Sequence, residues 1–126
     1  MGIRFLKIAV VYLVIGVTMG IAMGIAQKFQ YAPVHAHINL LGWATFALAG
    51  LIYVLFPAAA ATRLAAWHFW LQNIGVPVFL VSLIFVISGI AAAVPLTITG
   101  SLVTLAAMIV FLVNVFANVR EPRVAA

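Results

Sequence analysis

Cysteine is absent from the 126 residues, and a single acidic residue, Glu121, stands against six lysines and arginines. The first absence removes disulfides, thiolate metal sites and thiol nucleophiles together. The second removes the carboxylates on which hydrolytic and ion-transporting sites usually rest, since Glu121 lies near the carboxyl end and no other acid can orient a histidine. Charge of either sign is scarce: 6% of residues carry it, against about 25% in a water-soluble domain, so the surface is built to face lipid. The basic residues lie scattered at the ends of apolar runs. A nucleic-acid interface needs them clustered on one face, so they read as topology signals instead.

What is present is hydrocarbon, 68% of the residues. Roughly 20 apolar residues cross a bilayer as a helix, and four such runs can be marked out: Phe5 to Gln27, Ala36 to Phe56, His68 to Ala93 and Thr97 to Asn118, with ends good to ~2 to 4 residues. The expected fold is all-α, a multi-pass four-helix bundle embedded in membrane lipid, with residues 1–126 forming one domain. The first run is longer than the core of a signal peptide, about 7 to 15 residues, and is expected to remain as a helix. Pro33 falls in the first loop, Pro57 stops the second helix and Pro95 marks the third turn, while Pro77 predicts a kink inside the third span. With the amino terminus inside, five of the six basic residues (Arg4, Lys7, Arg63, Arg120 and Arg123) fall on the cytoplasmic side and Lys28 alone falls outside. Positive charge collects on cytoplasmic flanks, so both termini are expected there, in a bacterial-type inner membrane.

Gly16, Gly20 and Gly24 line one face of the first span and invite close approach of another helix. Met19 and Met23 form a second stripe, read as packing rather than as copper ligands. Strongly polar residues inside a span are costly and are the first candidates for function. Here they are His35, His37, Asn39, His68, Gln72, Asn73, Asn114 and Asn118.

His35 and His37 open the second span at its outer end and point about 200° apart, so one helix offers two imidazoles to opposite sides. Asn39 follows His35 by one turn and shares its face, where it can hold a ligand or a carbonyl. The pair admits two readings, an interfacial pair capping a helix start or axial ligands to haem iron, which needs only a neutral imidazole nitrogen. Zinc or copper needs three or four converging ligands, which a single chain does not offer. His68 opens the third span at the opposite surface, about 25 to 30 Å away, too far to share a metal with the pair. Its neighbours Trp67, Phe69 and Trp70 mark it as part of an interfacial aromatic belt, with a secondary ligand role as the alternative. Lys28, beside Gln27 and Gln30, can pair with haem propionates or reach to lipid phosphates.

The stretch His35, Ala36, His37, Ile38, Asn39, Leu40, Leu41, Gly42, Trp43, followed by Leu51, Ile52, Tyr53, Phe56 and Pro57, resembles the tenth helix of the catalytic subunit of haem-copper oxidases. The C-type oxidases and the related nitric oxide reductases are the nearest in pattern. His68, Phe69, Trp70 and Leu71 with Ile74, Gly75, Ser88, Gly89 and Ile90 resemble the next helix, and the glycine-rich first span with Gln27 resembles the preceding one. The whole chain is thus similar to the last four of that subunit's twelve helices. The resemblance implies that His35 serves a high-spin haem and His37 a low-spin one, both in the outer half of the membrane.

The family's copper ligands and the second axial histidine of its low-spin haem come from helices that have no counterpart here. Oxidoreductase activity is therefore expected only of an oligomer or of a subunit in a larger complex. Because the family subunit is three four-helix arcs in pseudo-threefold arrangement, the resemblance implies a homotrimer with haem b at its interfaces, serving electron transfer to a redox partner, diatomic gas binding or haem handling. Two further readings are a copper site formed where several chains meet, and a cofactor-free assembly subunit of a respiratory complex.

Overall fold

The structure is a computed structural model describing residues 1–120. Without water to satisfy them, backbone amides and carbonyls in lipid must bond within their own segment, and the apolar runs accordingly form helices. Four are long and apolar enough to cross a membrane: Gly2–Ala26, Ala32–Leu55, Arg63–Ile87 and Ala91–Asn118. Among the described residues there is no strand. The described residues thus form an all-helical fold with four candidate membrane spans.

Both inner spans begin earlier than their apolar runs suggest. The second starts at Ala32 because Pro33 sits in its first turn, where a missing N–H costs nothing. The third starts at Arg63, five residues ahead of His68. Thr62 caps it by accepting a hydrogen bond from the Ala65 amide at 3.0 Å. Phe56 leaves the helical region, Pro57 opens the short turn Pro57–Ala60, and the third span continues through Pro77 to Ile87. Gly89, at φ 92, supplies the left-handed residue of the following turn, and Pro95 lies in the first turn of the last helix.

The spans pair as two antiparallel hairpins. In the second hairpin the backbones approach closely: a Cβ on Gly75 would lie 2.8 Å from the Thr104 amide, and one on Gly100 2.6 Å from the Phe79 amide. In the first, the Tyr12 ring occupies the space over Gly42, and the Leu6 side chain that over Gly50. Phe5, Phe46, Tyr53, Val76 and Leu80 form the core between hairpins, while large apolar side chains such as Ile25 and Phe116, 81% and 82% exposed, point outward. This pairing gathers Arg4, Arg63 and Arg120 at one end of the bundle and leaves Lys28 at the other. Arg123 and Glu121 lie outside the described residues.

Candidate functional site

His35 and His37 leave the second span on either flank of its buried ridge, Val34 and Ile38. His35 turns to the first span. Its Nδ1 donates to the Gly16 carbonyl at 2.9 Å, and a Cβ on Gly20 would lie 2.8 Å from its Cε1. Two of the three spaced glycines therefore seat a side chain of the same molecule, while among the described residues nothing lies over Gly24. Met23 is buried and Met19 half-buried, as packing residues are. Asn39 shares the face of His35 as its spacing predicts: its amide donates to the His35 carbonyl at 2.9 Å, and its Oδ1 lies 2.6 Å from where a Cβ on Gly16 would be.

His37 turns to the third span, where its ring meets Phe79 edge-on at 5.1 Å between centroids. Its Nδ1 donates to the Pro33 carbonyl at 2.7 Å. Pro33 also removes an amide from the first turn, where that amide would have had no partner within the helix. A carbonyl can only accept. In the neutral ring each Nδ1 then carries the proton, and each Nε2 keeps its lone pair. Histidines that bind metal are commonly held this way, the distal N–H fixed to a carbonyl so that ring orientation and tautomer are set beforehand. Both rings are half-buried. Lys28 is exposed at the same end, beside Gln27, whose amide bonds the Gly24 carbonyl at 2.6 Å.

His68 corrects the expectation of an interfacial aromatic residue. Trp67 and Trp70 are 63% and 61% exposed and suit a belt, but His68 has no exposed surface at all. The early start at Arg63 carries it about 7.5 Å into the bundle and turns it inward. Its ring is stacked between Phe5 and Phe111, with centroids at 4.9 and 4.5 Å. The Asn114 amide donates to the Tyr53 hydroxyl at 3.2 Å, and that hydroxyl is hydrogen-bonded to His68 Nδ1 at 2.9 Å. Here Nδ1 meets a hydroxyl of another span, where in the outer pair it meets a backbone carbonyl. Among the described residues neither the His68 Nε2 nor the Gln72 Oε1 has a hydrogen-bond partner. Asn114 also donates to the Ala59 carbonyl and accepts from Thr62 and Asn118, each at 3.0 Å or less. Asn73 donates to the Phe69 carbonyl within its own helix.

The two polar clusters are separated by the rise from His37 to Tyr53, roughly 24 Å. Among the described residues no three metal-ligating side chains converge. The geometry can therefore supply a single nitrogen on each side of one helix, and it does not supply a closed metal cage. A feature with no expectation behind it is the π-helical stretch Ile38–Ala44, directly after His37. No family model matches the chain, nor does a characterised protein or a solved structure.

Proposed function

We propose that the chain is a b-type haem protein of a bacterial-type inner membrane, acting in electron transfer, diatomic gas binding or haem handling. The observation that carries this reading is the hydrogen bonding of the outer pair. Gly16 and Pro33 carbonyls each fix an Nδ1–H, leaving two Nε2 lone pairs on opposite sides of one apolar helix. One nitrogen per side is what an axial bond to haem iron requires, because the porphyrin fills the other in-plane positions itself. A zinc or copper ion would need further ligands from the same neighbourhood.

Haem, when bound, supplies reversible one-electron chemistry and an iron that can hold a diatomic gas. The protein's part is to bind and orient. His35 and His37 would hold the iron through Nε2, and the Gly16 and Pro33 carbonyls orient the two rings for it. Phe79 packs against the His37 ring, and Lys28 stands at the same end for a propionate. The amino terminus, with Arg4, Arg63 and Arg120, is placed on the cytoplasmic side by its positive charge, which puts the histidine pair in the outer half of the membrane.

A lone chain offers one axial histidine per side. The second ligand then comes from a neighbouring copy, and the motif's resemblance to a threefold family subunit favours a homotrimer with haem at each interface. Protein purified with supplied hemin is expected to show a Soret band, and native mass spectrometry to show three chains. Bis-histidine ligation gives a low-spin spectrum without carbon monoxide binding, and an open position binds the gas. Intact protein that stays colourless with hemin would overturn the reading.

A further inference from the structure

In the second span the buried positions on the ridge are Val34, Ile38, Gly42 and Phe46, each four residues from the last. An uninterrupted α-helix cannot keep such a series on one face, because twelve residues at 3.6 per turn overshoot three turns by about 120°. The π-helical stretch Ile38–Ala44 absorbs this excess by widening the turns between the histidine pair and the rest of the span. Side chains hold it open from three directions. The Thr45 hydroxyl donates to the Leu40 carbonyl at 2.7 Å, the same carbonyl that accepts the Thr45 amide in the five-residue pattern of a π turn. From the third span, fully buried Gln72 donates its amide to the neighbouring Leu41 carbonyl at 3.3 Å. From the first, the Tyr12 ring lies 2.5 Å from where a Cβ on Gly42 would be, so the stretch cannot turn without striking it.

We propose that Thr45 and Gln72 are positioning residues: by occupying the Leu40 and Leu41 carbonyls they hold the span unwound, and so fix the direction in which His35 and His37 leave it. Rewinding the stretch to an α-helix amounts to removing one residue from the turn and rotates everything ahead of it by about 100°. That rotation lifts His35 off Gly16 and Gly20 and breaks the edge contact of His37 with Phe79. The consequence for ligand binding rests on the haem reading, while the effect on the helix itself does not.

The test compares wild-type protein in nanodiscs with Thr45→Val, Thr45→Ser, Gln72→Leu and the Thr45→Val/Gln72→Leu double variant. Solid-state NMR reads the backbone carbon shifts of residues 38–44 and the ring nitrogen shifts of His35 and His37, and hemin titration reads the Soret band. Thr45→Val and the double variant are expected to move the backbone shifts toward α-helical values and to shift both ring patterns. Thr45→Ser, which keeps the hydroxyl, is expected to leave them as in wild type. Hemin affinity is expected to fall by about 10-fold in the double variant, the size of effect that partners of a metal-bound histidine commonly have. Unchanged shifts in the double variant would overturn the assignment even with a normal Soret band. Moved shifts in a protein that never binds hemin would leave the positioning role standing and remove the haem reading alone. If Gln72→Leu does not assemble, Thr45→Val against Thr45→Ser decides by itself.

Discussion

At one end of the bundle His35 and His37 are half-buried, with Nδ1 bound to a backbone carbonyl and Nε2 uncommitted. At the other, His68 is sealed between two phenyl rings with Nδ1 hydrogen-bonded to the Tyr53 hydroxyl. The same side chain thus serves opposite purposes. The outer pair has its donors occupied and its acceptors free, as a ligand must. The inner histidine joins Tyr53 and Asn114 in a network that ties the third and fourth spans to the second. In lipid, where the hydrophobic effect does not press helices together, such side-chain bonds and close packing of small residues perform that task.

The contrast can be broken most directly in the outer pair. His35→Ala or His37→Ala is expected to abolish or shift the Soret band of hemin-loaded protein, while His68→Phe, which preserves a ring between Phe5 and Phe111, leaves it in place. Loss of absorbance in His68→Phe with the outer pair intact would erase the distinction. Nearly as large an effect is expected without touching a histidine. Gly20→Val puts methyl groups where the His35 ring lies, since even a Cβ there comes within 2.8 Å of Cε1, and should displace the imidazole. Gly24→Val, with open space around it, should have no effect on the same spectrum.

At the inner end the expected effects are on stability. Asn114→Ala removes the donor to Tyr53 and to the Ala59 carbonyl, and should destabilise the bundle by about 1 to 2 kcal/mol, measured by reversible unfolding in bicelles. The Soret band of the variant should match wild type. The smallest change is expected from Lys28→Gln. This exposed residue at most assists a propionate, and hemin affinity measured by titration should fall by no more than a few-fold, about 1 kcal/mol.

Much of this could be read before any coordinates. The number of spans follows from four apolar runs, and the opposed directions of His35 and His37 follow from two residues of helical rotation. The common face of His35 and Asn39 follows from a spacing of four. His68 was not legible, because its fate depends on where the helix starts. The apolar run begins near His68 itself, whereas the helix begins at Arg63, set by the Thr62 hydroxyl that caps the amide of Ala65. Tyr53 and Asn114 were likewise hidden, since 61 residues separate them and only packing of the two hairpins joins them. The π stretch did leave a trace in the four-residue spacing from Val34 to Phe46. In a span that is apolar all round, however, no polar face shows which positions are buried, and the spacing is invisible until burial is known.

The sequence by itself determined that this chain is a set of helices made for lipid, how many there are, and that two imidazoles leave one of them on different sides. These are matters of composition and of local period, which every stretch of chain carries within itself. Only the tertiary structure decided what each imidazole bonds, which histidine is walled in, and where the second span unwinds. Each of those depends on where a helix starts, or on a carbonyl, a hydroxyl or a missing Cβ that folding brings within reach.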